Sequence, residues 1–529
     1  MKTISKYVSI LLVAALTFTA CEDWMNAEPE GATKTADQKS DAASQNPDAA
    51  AADIAAIYAQ FIQLYAGLGD LGLSRHNDFG YAAICMLTEA QGMDFVSPNI
   101  GYNWFGFSDW KSIRENALQG DGRTCHLVWN EYYKIIHACN NVIEIIDPAN
   151  PGTQRYALSQ ALAVRAFCYL QLAQLFQFTY SDATLDKPCV PIVKDHMTAE
   201  QQAANPRATV KEVFALIKSD LDYACDSLDG FERADNGYVD QAVAFGLRAR
   251  ANLVMKNWKE AAADADKALT LSGATPLSIA EANEPGFVDA DKHNVLWANI
   301  IVETNDIVQT GIVNWPSHMS IFFTDGYTSV GATRHIASAL YDEIPASDVR
   351  KGWWLNEDLE SPLLNAATYN LQKKDIQGNP DNVYVNVKFG IGDKTATGDA
   401  AAAADWILMR AEELSLIKAE GLAKSGGDGA SVLTNFVQTY RDPAFAISGD
   451  IEDEIWMQRR IELWGEGFAW GDIMRLEKDI VRTTSTNWPE AWVQDVKAGR
   501  NILLWRIPQS EIEANNGISD ADNNPVDAY

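Results

Sequence analysis

The chain has 529 residues, 47% of them hydrophobic, and carries 72 Asp and Glu against 42 Lys and Arg, a formal net charge of −30. A field of that sign repels phosphate, which excludes nucleic acid as a partner and disfavours anionic polysaccharides relative to neutral ligands. Beyond the N-terminus no stretch approaches the length of uninterrupted apolar sequence that a spanning helix needs, so the remainder reads as a soluble body with a large core or two lobes.

In chain order, Lys2 and Lys6 precede an apolar run from Tyr7 to Ala20, broken only by Ser9, Thr17 and Thr19, and then Cys21. This is the layout of a cleavable secretory signal over residues 1–20, too short to cross a bilayer. Thr19 and Ala20 before Cys21 resemble the lipobox of bacterial lipoproteins, with Phe18 where Leu is usual; the resemblance implies lipidation of Cys21 and anchoring to a membrane. Residues 21–52, rich in Ala, Asp, Ser, Thr, Lys and Gln, have too little apolar bulk to fold and read as a flexible leash. Glu22 and Asp23 resemble the surface-export signal of Bacteroidetes lipoproteins, which implies a body outside the cell.

Residues 53–272 carry apolar positions at helical spacing. Leu127–Ile146 and Tyr156–Phe178 read as a helical hairpin joined at Pro148–Gly152, and Thr209 with Glu212 three positions on is a capping box for the next helix. Asp240–Met255 and Trp258–Leu271 form a tight pair. Its small Ala249, Ala251, Ala261 and Ala268, with Trp258 at the elbow, resemble the tetratricopeptide repeat, and Trp406–Tyr440 is a weaker echo. Residues 273–403 change texture to short β-branched and aromatic runs (Val295–Val302, Gly311–Trp315, Asn382–Phe389), an irregular lobe with small hairpins. Residues 404–529 return to helix. The predicted fold is therefore mainly α, a tetratricopeptide-like scaffold with a loop-rich insertion.

Near the C-terminus, Arg459-Arg460-Ile461-Glu462-Leu463-Trp464-Gly465-Glu466-Gly467-Phe468-Ala469-Trp470-Gly471-Asp472-Ile473-Met474-Arg475 closely resembles the signature of SusD/RagB-like proteins. His76–Tyr81, Trp129–Asn141, Leu162–Phe176, Arg207–Leu228, Tyr341–Arg350, Asp405–Glu420 and Ile507–Ile512 resemble the same family in the same order. The resemblance implies a non-catalytic surface lipoprotein of the outer membrane. Such a protein sits as a lid on a SusC-like TonB-dependent transporter and delivers an oligosaccharide, or another nutrient such as peptide, into it.

Glu462 and Glu466, one helical turn apart with Asp472 nearby, invite comparison with the paired carboxylates of a surface glycoside hydrolase. Arg459, Arg460 and Arg475 beside them would hold them ionised, which favours structural ion pairing for these carboxylates; Arg460, Glu462, Glu466, Gly467, Trp470, Asp472 and Arg475 are the structural signature residues. The seven histidines show no HExxH or HxH spacing, and Asp520, Asp522 and Asn523 lack the Gly and closing Glu of a calcium loop, so neither metal nor cofactor is expected. Six cysteines remain after Cys21, none in a CxxC pair; their even number permits disulfides, but apolar surroundings favour buried thiols.

Sugar C–H faces pack on aromatic rings, and two polar loops are rich in them. Tyr102, Asn103, Trp104 and Trp110 lie in the first, Trp315, Phe322 and Tyr327 in the second, with Arg75 and Asn77 within reach of the same surface. In SusD-like proteins the glycan platform is built from loop aromatics in broadly these regions, so these residues are the candidate ligand-binding set. Trp129, Trp258, Trp464 and Trp470 lie on apolar helical stripes and are expected in the core.

Overall fold

The computed structural model describes residues 47–106, 110, 123–146, 149, 151–365 and 375–527. Cys21, the signal and most of the leash lie outside the described residues, as do Phe107, Ser108 and Asp109 of the first aromatic loop. The chain is mainly helical, with its longer helices being α1 (Pro47–Gln60), α2 (Tyr81–Gln91), α3 (Arg123–Glu144), α4 (Arg155–Phe176), α5 (Val210–Ser227), α6 (Gln241–Val254), α7 (Trp258–Ser272), α8 (Ala411–Lys424), α9 (Gly429–Tyr440), α10 (Ile451–Glu462) and α11 (Ala469–Arg475). Helix α1 begins inside the segment read as leash: Ile54, Ile57 and Phe61 are buried and draw the chain onto the body.

Consecutive helices from α3 to α9 pack on their neighbours, as in a tetratricopeptide stack, and α7 meets α8 directly although 138 residues separate Ser272 from Ala411. The irregular lobe is thus an insertion between two adjacent helices. Small residues permit that closeness: a Cβ on Gly421 would fall 2.4 Å from the Trp258 carbonyl oxygen, and Ala249, Ala251, Ala261 and Ala268 are fully buried. Trp258 at the elbow is only half-buried, its ring 5.1 Å from the Lys424 ammonium, because its outer side faces solvent. Guanidinium–carboxylate forks cross successive seams: Arg165 to Asp220 between α4 and α5, Arg248 to Asp264 between α6 and α7, and Arg250 to Glu413 between α6 and α8. Such bidentate pairs fix geometry as well as contributing energy.

The capping box at α5 forms as predicted. The Glu212 N–H donates to Thr209 Oγ1 (3.2 Å), and the Thr209 N–H donates to Glu212 Oε2 (2.8 Å). Strands are short and paired two by two, all antiparallel: β1 (Phe95–Val96) with β5 (His335–Ile336), β2 (Pro188–Pro191) with β3 (Arg207–Thr209), and β4 (Val295–Asn299) with β6 (Trp406–Arg410). The last pair joins the start of the lobe to its exit and shows that Trp406–Arg410, read as part of a helical echo, is a buried strand. Gly311–Trp315 forms no strand. Asn314 instead caps a short helix, Trp315–Met319, by accepting from the Ser317 N–H (2.9 Å).

All six cysteines outside the N-terminus are free and buried, so burial rather than pairing is their structural role. No helix of the described residues is long and apolar enough to cross a membrane.

Candidate ligand platform and the buried signature

Three chain segments converge on one aromatic cluster. The first, residues 65–80, is shaped by Asp78, whose carboxylate accepts from the Gly67 and Leu68 N–H groups (3.2 and 2.8 Å) and whose carbonyl accepts from the Tyr65 N–H. Burial raises the Asp78 carboxyl to about 6 against those backbone donors. The second segment is folded around Asn103. Its amide nitrogen donates to Ser97 Oγ and the Pro98 carbonyl (both 2.7 Å), and its oxygen accepts from the Phe105 N–H (3.1 Å) and from Arg334 (2.9 Å). The third is anchored by a pile of parallel rings, Phe79 on His318 at 5.4 Å and His318 on Tyr327 at 4.6 Å.

These segments bring His76 beside Trp104, ring centroids 5.0 Å apart, and set the His76 Nδ1 against the Tyr327 hydroxyl. Desolvation lowers the His76 pKa and favours a neutral imidazole. The Arg75 guanidinium lies 5.7 Å from the centre of the Trp104 ring, and Asn77 donates to the Trp104 carbonyl (3.3 Å). Trp104 is half-buried, while Tyr102 is 64% exposed; Ile100 and Val330, also exposed, extend the same rim, since Ile100 abuts the turn at Gly331. An exposed group of rings and apolar side chains edged by Arg, His and Asn is a surface for stacking and hydrogen bonding, the chemistry of sugar recognition.

Of the sequence candidates, Arg75 and Trp104 meet at this cluster, Asn77, Asn103 and the buried Tyr327 support it, and the exposed Tyr102 lies two residues from Trp104. Three candidates are corrected. Trp315 is 1% exposed, packs on Phe389 and Trp406, and donates its indole N–H to the Ala404 carbonyl (2.7 Å). Phe322 is buried, and Trp110 is buried under the Arg482 guanidinium, 4.2 Å from its ring. Each of these rings has core neighbours where a ligand face would be needed. His76 was not among the candidates; its place between Arg75 and Asn77 was the available signal.

The C-terminal signature lies away from the surface. Glu462 and Glu466 are buried, but their partners differ from those expected. Glu462 accepts from Arg410 (2.7 Å), Arg441 (2.8 Å) and Arg350 (3.2 Å), and Glu466 from Lys388 (2.6 Å) and Arg410 (2.7 Å). Arg459 and Arg475 instead hold Asp472, and Arg460 holds Asp94. Burial alone would raise the Glu462 carboxyl; Arg441, Arg410 and Arg350 hold it well below the usual carboxylate range, unsuited to donate a proton. Gly467 keeps φ at 92° and its N–H donates to Glu89 Oε1 (2.8 Å), tying the signature to α2; a Cβ there would meet Cys85 Sγ at 2.5 Å. Asp522 is engaged by Ser519 and Asn523 by Ile507, so both have local structural roles.

The chain thus combines a tetratricopeptide-like stack, an aromatic cluster reaching the surface, and paired glutamates locked in salt bridges. Residues 72–232 match a family described as SusD-like, starch-binding associating with outer membrane, and residues 361–526 match the SusD family. The chain belongs to the SusD/RagB family. It is 23% identical over 405 residues to a SusD-like protein of Formosa agariphila, covering 70% of this chain and 76% of that one. Its fold is similar to the crystal structure of a SusD-like carbohydrate binding protein from Bacteroides vulgatus (TM-score 0.71, 23% identity, 91% of this chain and 98% of that one). It is also similar to surface glycan-binding protein A from Bacteroides fluxus (TM-score 0.62, 15% identity, 91% and 99%).

Proposed function

We propose that this chain is a non-catalytic lipoprotein, anchored through acylated Cys21 on the outer face of the outer membrane, that captures an oligosaccharide and hands it to a SusC-like TonB-dependent transporter. The observation that carries the reading is the half-buried Trp104–His76 ring pair with the exposed Tyr102 two residues away, built on a scaffold whose relatives are described as carbohydrate- or glycan-binding. A binding role is further supported by the Glu462 and Glu466 carboxylates, which are saturated by buried cations and unavailable for acid catalysis. The long N-terminal segment fits a tether, which would hold the body beside its transporter at high effective concentration.

The test is calorimetric titration of the body, residues 47–529, with a panel of neutral and charged oligosaccharides. Trp104→Ala is expected to weaken binding at least tenfold with an unchanged circular dichroism spectrum, since stacking residues of this kind dominate ligand affinity. Binding of peptides with no glycan bound at all would sink the proposal. So would a Trp104→Ala variant with unaltered affinity.

A further inference from the structure

Two guanidinium groups beside the platform face no carboxylate among the described residues. The described residues of the segments that build the platform carry four carboxylates, and each has partners elsewhere. Asp70 lies 3.6 Å from the Lys134 ammonium and accepts from Asn130, Asp78 is capped by two backbone N–H groups, Asp94 is forked by Arg460, and Asp325 accepts from the Gly398 N–H. The two guanidinium groups on the same segments have no carboxylate among the described residues. Arg75 lies partly exposed over Trp104, with neither a hydrogen bond nor an ion pair from its side chain. Arg334 is fully buried behind Asn103; it donates only to Ser97 Oγ, Asn103 Oδ1 and its neighbour's carbonyl, and its Nε and other terminal nitrogen have no partner. Elsewhere in the fold Arg165, Arg248, Arg250, Arg350, Arg410, Arg441, Arg459, Arg460 and Arg475 all face carboxylates.

Resting on the glycan reading above, we infer that the platform takes a glycan bearing an anionic substituent, a uronate carboxylate or a sulfate ester, with that group at the Arg75 guanidinium while the sugar ring stacks at Trp104 and Tyr102. The net charge of −30 does not oppose this at contact range. Exposed charges more than about 8 Å away are largely screened at physiological ionic strength, whereas a guanidinium in direct contact with an oxyanion forms a charge-assisted, bidentate-capable bond. Arg334, buried without a counter-charge, adds a positive field from behind while fixing Asn103.

Titrations with oligogalacturonate and its methyl ester, sulfated and desulfated carrageenan oligosaccharides, and maltohexaose separate the sources of charge. The expected result is preference for oligogalacturonate over its ester, or for the sulfated over the desulfated galactan, by about tenfold or more, weakening as salt rises. Arg75→Gln should abolish that preference and Arg75→Lys should retain part of it, while Trp104→Ala weakens both members of the preferred pair. Equal affinity for charged and neutral members, or an indifferent Arg75→Gln, would overturn the charge assignment and leave the glycan reading standing. Binding of no glycan in the panel would overturn both.

Discussion

Arg441 closes on Glu462 as a fork, its Nε and one terminal nitrogen each 2.8 Å from a different carboxylate oxygen. Arg410 and Arg350 approach the same group, and all four side chains are buried. Removing one charge from such a set leaves buried cations without compensation, which costs about 3–5 kcal/mol. Glu462→Gln is therefore expected to lower the unfolding free energy from urea titration by that amount, while the variant that does fold keeps wild-type glycan affinity. Loss of affinity with unchanged stability would argue for a direct role in binding.

Trp315 and Trp104 are both loop tryptophans, yet they should respond in opposite ways. Trp315→Ala removes a ring packed between Phe389 and Trp406 together with its bond to Ala404, a loss of about 3–5 kcal/mol measurable by denaturant titration. Trp104→Ala should leave the midpoint nearly in place and act on affinity.

Glu89 supplies a pH dependence. Burial raises its carboxyl to about 7, even though the Ala469 and Gly467 N–H groups stabilise the ionised form. Between the unfolded value of 4.5 and about 7 the native state keeps a proton that the unfolded state releases, so this group's contribution makes stability fall as pH rises through that window. Glu89→Gln, which cannot ionise, should gain on the wild type by roughly 3 kcal/mol between pH 4 and pH 8 in paired urea titrations. A constant difference between the two proteins across that range would contradict the assignment.

The cap of α5 gives a smaller effect. Thr209→Ala removes the acceptor of the Glu212 N–H and should cost about 1 kcal/mol, read as a shift in midpoint without change of slope.

Helices were legible because their signals are local. The α3–α4 hairpin, the Thr209–Glu212 box and the alanines of α6 and α7 each lie within a few turns of chain, and the structure reproduces them. Trp315 is buried although the loop around it is polar in sequence. Asn314 and Ser317 cap and brace the short helix, and Ser320 donates to the Phe389 carbonyl (3.0 Å). Polar residues next to a ring report where hydrogen bonds are needed, and that need exists in the interior too. The cations around Glu462 were illegible for a different reason: Arg350, Arg410 and Arg441 come from a distant turn, a strand and a helix end, and only the tertiary fold assembles them. On the platform, composition names Arg75 and Trp104 as candidates, whereas the approach of Arg75 and His76 to the Trp104 ring exists only once the loops close.

With Cys85, Cys125, Cys139, Cys168, Cys189 and Cys225 all enclosed, the described surface offers no thiol to reagents in solution. Burial also pushes the thiols of Cys85, Cys125 and Cys189 up to about 12, far from the reactive thiolate. A cysteine placed at the exposed position of Tyr102 would therefore be selectively addressable by a maleimide dye without stripping any native thiol, giving an optical probe seated at the mouth of the platform.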